Sequence, residues 1–219
     1  MKALSYLILG CGHFGRLAVE RLLQENRHSD ILVVDRQAKP LEALVSLPVK
    51  VFLGDGLSKL DRLLKTGTPL DYVIPCIPLH LAFEYLLHNL KPLGARRCSI
   101  PPFSNLPNVL MGENGDLYTS LADFLCPEDC LEPPLHCTVT GKRREKPLYQ
   151  VLSDAFQSHE SRIIQSQQLA PGVGGFPARK LGDLLKELWP LAMLGKPVLV
   201  STACRCHGVT SAFSFLTSR

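Results

Sequence analysis

An α/β fold with a doubly wound parallel sheet, followed by a smaller mixed α/β region with a Cys-rich segment, is the class this sequence predicts. Three observations carry it. The first hundred residues alternate short apolar runs with amphipathic stretches, as strands joined by crossover helices do. The first run, Leu4–Leu9, is largely apolar, as a strand covered on both faces must be. A glycine-rich turn then separates that run from the first amphipathic stretch.

The elements follow in order. His13–Gln24 reads as a helix, with Phe14, Leu17, Ala18, Arg21 and Leu22 at near-helical spacing. Ile31–Val34 is a second strand leading into Asp35. Leu41–Ser46 is a short helix, Val49–Leu53 a third strand and Leu57–Lys65 a helix. Tyr72–Pro75 is a fourth strand, Leu79–Leu90 an amphipathic helix and Arg97–Ile100 a fifth strand closed by Pro101-Pro102. Residues 101–137 are rich in proline and turn signals and resist assignment, yet structureless loops of that length are uncommon in compact domains. Beyond them, Leu148–His159 reads as helical and Arg162–Ser166 as extended. Lys180–Leu194 reads as a helix that Pro190 ends early or kinks. Pro197–Thr202 and Val209–Leu216 read as strands. These readings divide the chain into residues 1–103 and a Cys-containing region, 104–219.

The bulk properties narrow the function classes. The 219 residues suffice for one large α/β domain or for two smaller units, and 46% hydrophobic with 20% charged residues is ordinary globular composition. A net charge of +4, concentrated only in Lys142–Lys146, argues for one exposed basic loop and against a nucleic-acid partner. Every apolar run falls short of the roughly 18 residues a membrane span needs. The apolar start Met1–Leu9 runs straight into the glycine turn, so signal cleavage there would destroy that turn. A cytoplasmic location follows. Eight cysteines in a reducing compartment then read as thiols or metal ligands rather than disulfides.

The turn is Gly10-Cys11-Gly12-His13-Phe14-Gly15, between a strand and a helix. In that context GxGxxG is a dinucleotide-binding, Rossmann-type signature. Gly10 permits the tight turn, Gly12 lets the backbone approach a pyrophosphate, and Gly15 lets helix and strand pack closely. The helix amino terminus supplies free N–H groups and positive partial charge, with His13 and Phe14 beside the ligand. Asp35, twenty residues after Gly15, is placed to accept the ribose hydroxyls and repel a 2′-phosphate, which favours NAD(H) over NADP. Arg36 next to it is placed to lie against the adenine, which keeps NADP open.

Together with Val33-Val34-Asp35-Arg36, Gly54-Asp55-Gly56 and Asp71-Tyr72-Val73-Ile74, this loop resembles TrkA-N domains, the nucleotide-binding halves of RCK modules. The resemblance covers about residues 1–100 and leaves the carboxy-terminal half unmatched. It implies that Gly54 and Asp55 border the adenine side of the ligand. It further implies an NAD(H) or adenine nucleotide bound as a regulator, a membrane-transporter partner in potassium transport regulation, and pairing into a homodimer.

A second constellation lies downstream. Cys126, Cys130 and Cys137 fall in one segment, Cys204 and Cys206 in another, with His136 and His207 beside them. Five soft donors in two short segments exceed the four of a tetrahedral thiolate site. Cys126, Cys130, Cys137 and Cys206 lead as ligands, Cys204 is next, and His207 is a reserve. Zinc and an iron–sulfur cluster both suit four thiolates. Free thiols, some buried as small hydrophobes, are the alternative. Cys11, Cys76 and Cys98 read as buried strand or turn residues. The glycine run Leu169–Pro177 before a helix reads either as a further anion site or far-end contact, or as a lid or plain turn.

No residue is assigned a catalytic role. Tyr118 and Ser120 lack a partner at a reductase spacing, and His80 and His88 read as one packed or solvated helix face. Two hypotheses result. One is an NAD(H)-binding regulatory protein with a metal–thiolate site, which binds nucleotide without turnover. The other is an NAD-dependent oxidoreductase with a structural zinc or iron–sulfur site, which a substrate-dependent change in nicotinamide absorbance would reveal.

Overall fold

A computed structural model describes residues 3–193 and 196–216. Met1, Lys2 and the predicted last helical residue, Leu194, lie outside the described residues. The elements are strands β1 (Ser5–Leu9), β2 (Asp30–Asp35), β3 (Lys50–Leu53), β4 (Tyr72–Pro75), β5 (Ala95–Cys98), β6 (Leu110–Met111), β7 (Leu117–Ser120), β8 (Glu160–Gln165), β9 (Gln167–Ala170), β10 (Val173–Pro177), β11 (Val198–Ala203) and β12 (His207–Phe215). The helices are α1 (His13–Glu25), α2 (Ala38–Glu42), α3 (Gly56–Lys65), α4 (Leu81–Leu90), α5 (Leu148–Ala155) and α6 (Arg179–Leu188).

The strands form two sheets. The first runs β3-β2-β1-β4-β10-β9, with β1 to β4 parallel as predicted and the β9–β10 hairpin added antiparallel to β4. The second runs β6-β7-β12-β11-β8. The predicted fifth parallel strand is real but belongs elsewhere. It is β5, and it pairs antiparallel with β12 in the second sheet. The glycine run Leu169–Pro177 is likewise a β-hairpin rather than a free loop before a helix. Both sheets therefore draw strands from both sides of residue 103.

Packing follows from which faces are apolar. Helix α1 buries Gly15, Ala18, Val19 and Leu22, a helical stripe against Ile8, Ile31 and Val33. Phe14, expected on that stripe, is instead 60% exposed because it sits in the first turn beyond the sheet's edge. On the opposite face, α4 and α6 lie between the two sheets. Phe83, Leu86, Leu181 and Leu188 share one core with Leu7 and Leu9 below and with Val198, Val200 and Phe213 above. Helix α5 covers the far face of the second sheet through Leu148, Leu152 and Phe156. Helix α6 ends at Leu188, and Trp189–Met193 continues as a 3-10 turn containing Pro190, which cannot extend an α-helical ladder.

Register fixes the functional edge. Leu9 pairs with Val34 on one side and Pro75 on the other. Gly10, Asp35 and Cys76 thus leave the sheet together at its carboxyl edge, where open α/β sheets place ligands. The turn of the β9–β10 hairpin reaches the same edge. Segment 121–147 lies over it, with only an isolated His136–Arg143 bridge as regular pairing.

Candidate functional site

The glycine loop meets the steric test of a phosphate cradle. Gly10 has φ +98°, and a Cβ there would stand 2.4 Å from the Cys76 carbonyl oxygen. At Gly15 a Cβ would strike the Gly10 carbonyl oxygen at 1.9 Å. A Cβ at Gly12 would meet nothing within 4 Å, so open space lies in front of that backbone. No side chain caps the amino terminus of α1, and its first turn carries no acidic residue. The N–H groups of an uncapped first turn are available to an anion.

Asp35 stands beside this space, tied to the loop. One carboxylate oxygen accepts the Cys11 N–H at 2.6 Å and the other accepts the Gln37 N–H at 2.8 Å. Each oxygen keeps acceptor capacity for a hydroxyl. Gly54 donates its N–H to the Asp35 carbonyl at 2.8 Å, which brings Gly54 and Asp55 to the same rim. Asp55 caps α3, accepting from the Ser58 N–H and hydroxyl at 2.8 Å, and pairs with Arg36. The Arg36 bond, then the Ser58 N–H, lower its pKa to about 2. Arg36 therefore lies across the rim, its guanidinium joined to Asp55. The open backbone at Gly12 and the carboxylate of Asp35 beside it are groups that a dinucleotide would fit.

The cysteines converge on one cavity. A space of about 780 Å³ is lined by Cys126, Cys130, Cys137, Cys204, Cys206 and His207. Three of the five sulfurs accept backbone N–H groups from residues just downstream. Cys130 accepts from Glu132 at 3.4 Å, and Cys204 from Cys206 and His207 at 3.4 and 3.3 Å. Cys137 accepts from Thr140 and Val139, and with the Thr140 hydroxyl these bonds lower its pKa. Burial raises Cys126, Cys204 and Cys206, Cys204 to about 12, where Glu132 adds to the effect. Arg144 Nη2 donates to Cys206 Sγ at 2.8 Å and works against the burial. His207 Nε2 lies 3.3 Å from Cys126 Sγ, while its Nδ1 meets the Ser120 hydroxyl at 3.0 Å. Burial lowers the His207 pKa. Among the described residues, no three His, Cys, Asp or Glu side chains stand in ligating geometry around one point. The Cys204 thiol is hydrogen-bonded to Glu132, and its sulfur lies within reach of the Cys206 backbone.

The cavity begins at the glycine loop, since Phe14 lines it too. His13 Nε2 donates to Glu128 Oε1 at 2.7 Å. Arg21 Nη1, one helical face further along α1, donates to the Glu128 carbonyl at 2.7 Å and to the Pro171 carbonyl at 2.6 Å. The Gly172 N–H donates to the Cys130 carbonyl at 3.1 Å. A Cβ at Gly172 would stand 1.6 Å from the Glu128 oxygen, so this glycine is where the Cys-rich segment touches the hairpin. The second glycine run thus makes that contact at Gly172.

Sequence reasoning missed Glu128, Glu132 and Arg144. Glu128 lies inside the Cys126–Cys130 spacing, and Arg144 was one of several cations in a basic run. Arg143 forms the isolated backbone bridge with His136, and Lys146 pairs with Asp154 at 2.6 Å. The run is mostly exposed, as expected, but Arg144 turns inward to the cavity.

His80 is neither solvated nor part of this edge. It is buried at the start of α4, with Nδ1 donating to the Ser211 hydroxyl at 2.8 Å and Nε2 accepting from Thr202 at 3.0 Å. Ser211 passes its proton donor to Asp116, which Arg97 meets at 2.6 Å. Burial lowers the His80 pKa to about 3, so the ring is held neutral. No helix among the described residues is long and apolar enough to cross a membrane.

Two family models match different parts of the chain. A TrkA-N domain model matches residues 6–66. A family model described as the C-terminal domain of an uncharacterized protein matches residues 82–216, more than half of the chain. An "Uncharacterized protein" of Archaeoglobus fulgidus is 31% identical over 223 residues, covering 94% of this chain and 97% of its own length.

Proposed function

This chain belongs to the family that carries that C-terminal domain behind a TrkA-N domain, and we propose that it is an NAD(H)-binding regulatory protein with a metal–thiolate site. The carrying observation is the shared edge. The glycine loop and the cysteine cavity meet at His13, Phe14 and Glu128.

In this reading Gly10, Gly12, His13, Phe14 and Gly15 hold the pyrophosphate, and Asp35 accepts the ribose hydroxyls. Gly54, Asp55 and Arg36 border the adenine. Asp35 opposes a 2′-phosphate, and Arg36 already has its carboxylate in Asp55, so NAD(H) is favoured over NADP. The bound nucleotide supplies a redox-dependent charge and shape at its nicotinamide end, and the chain's residues hold it without reacting it.

Cys126, Cys130, Cys137 and Cys206 are the proposed ligands, Cys204 the fifth thiol and His207 the alternate donor. Downstream N–H groups bonded to sulfur favour thiolates, which are the ligating form. Arg144 offsets part of the negative charge of a thiolate complex. Zinc and an iron–sulfur cluster both suit this donor set. A reducing compartment such as the cytoplasm keeps the thiols available. By its TrkA-N domain, the output of such a sensor is a transport partner of the potassium class, and a homodimer is the expected assembly.

Calorimetry with NADH and NADPH tests the nucleotide half. NADH is expected to bind more tightly than NADPH, and Asp35→Ala to weaken NADH about tenfold, the order of a lost charged hydrogen-bond pair. Unchanged NADH affinity in that variant overturns the ribose assignment. Elemental analysis and an absorption spectrum of anaerobically purified protein test the other half. Zinc or iron at one site per chain supports it, and finding neither ends it.

A further inference from the structure

One wall of the cysteine cavity holds a thiol and an imidazole in contact. Strand pairing sets His207 of β12 opposite Ser120 of β7. The Leu121 N–H then donates to the Cys206 carbonyl at 2.8 Å, which keeps the chain beside β12 as it runs on to Cys126. The hydrogen bonds around Ser120 decide the tautomer of the ring. A carbonyl oxygen only accepts, so the Ser120 hydroxyl commits its one proton to the Ala122 carbonyl at 2.8 Å. The same hydroxyl oxygen accepts from the Ala122 N–H at 2.9 Å and meets His207 Nδ1 at 3.0 Å. Nδ1 therefore carries the hydrogen, which leaves Nε2 of the neutral ring as an acceptor. Cys126 Sγ lies 3.3 Å from Nε2, so the thiol is the donor of that bond.

We infer that Cys126 is a nucleophile, with His207 its base and Ser120 the residue that positions the ring. The substrate class is an activated acyl group, an ester or thioester, with an apolar chain. A thiol within reach of a base that a third group orients is the arrangement of covalent catalysis. The step balances on these groups alone. As Sγ adds to the carbonyl carbon, its proton passes to Nε2. When the carbonyl re-forms, the leaving oxygen or sulfur departs with the bonding pair and takes that proton from Nε2. The acyl group stays on Cys126 as a thioester, with no change of oxidation state. The cavity of about 780 Å³ has the size of a small-molecule site. Phe14, Leu121, Leu125 and Val139 line it and are each more than a third exposed, apolar surface suited to an acyl chain. Cys126 lines the same space and is itself only partly buried. The inference rests on neither the metal nor the nucleotide. A metal on Cys126 would exclude an acyl group from the same sulfur.

The test is acylation of the whole reduced protein by p-nitrophenyl butyrate, as purified and after chelator treatment. It is read as nitrophenolate release and as acyl mass on each cysteine-containing peptide. A burst of about one nitrophenolate per chain is expected, with the acyl mass on Cys126 in both preparations. His207→Gln, with an unchanged thermal melt, is expected to slow acylation about a hundredfold. Ser120→Ala keeps the ring but frees its tautomer and is expected to slow acylation by a smaller factor. Ser120→Thr keeps the hydroxyl and is expected to restore the rate, and this pair carries the test if His207→Gln does not fold. Equal labelling of all the cysteines overturns the inference, as does a rate at Cys126 that these variants leave unmoved. Protection of Cys126 that chelator relieves also overturns it and gives the sulfur to a metal. Acylation of Cys126 in protein that elemental analysis finds metal-free supports the inference while ending the metal reading.

Discussion

Single residues already separate support from recognition. A Cβ at Gly12 meets nothing, whereas one at Gly15 meets backbone at 1.9 Å. Gly12→Ala should therefore fold like the parent while its methyl group stands where the pyrophosphate belongs. Gly15→Ala should lose stability by about 1–3 kcal/mol, the cost of overpacking. Thermal melts of the two variants distinguish these outcomes, and equal losses would contradict the cradle geometry. Asp55→Ala should lower stability by about 1 kcal/mol through the missing α3 cap. Because the Asp55 pKa is lowered to about 2 in the folded protein, its contribution is present above the ordinary carboxylate value and is lost as pH falls towards 2. The difference between parent and variant in urea denaturation should therefore shrink over that window.

The legibility of the sequence also divides by residue. Gly10, Gly12, Gly15 and Asp35 were readable because each is required locally, by a turn, a close approach or the end of a strand. The cysteines were readable as a group but not as a geometry. Their meeting depends on β7 and β12 pairing His207 with Ser120 across 87 residues. Glu128 and Arg144 carried no pattern that distinguishes them from solvated charges.

At the scale of elements, the parallel strands β1 to β4 and their helices declared themselves through continuous apolar runs. The strands β6, β7, β9 and β10 did not, because they are two to five residues long and all but β6 are interrupted by glycine or polar residues. Strand β5 was visible, but its place in the second sheet was not. Local pattern says that a strand exists, and only the distant β12 decides where it pairs. The β9–β10 hairpin has a consequence here. Gly172 has φ +64° and touches the Glu128 carbonyl, so Gly172→Ala should displace the Cys-rich segment. The expected result is weaker cadmium binding and weaker NADH binding together, with loss of one alone contradicting the shared edge.

The whole molecule is a five-layer stack in which α4 and α6 tie the two sheets into one core. The His80–Ser211–Asp116–Arg97 chain links the start of α4 to β12 and β5 of the second sheet. The folded His80 has its pKa lowered to about 3 from 6.5. Its share of stability is therefore complete above 6.5 and is lost progressively as pH falls from 6.5 towards 3. Chemical denaturation across that window should show the decline, and His80→Gln should flatten it. A slope unchanged in the variant would assign the acid sensitivity elsewhere.

The central claim is that the glycine loop of this chain holds a dinucleotide. Calorimetric titration of NADH into the parent protein and Gly12→Ala tests it most directly. The account predicts saturable binding at one site per chain in the parent and affinity at least tenfold weaker in the equally stable variant. Equal affinity in both, or no saturable binding to the parent, would contradict it.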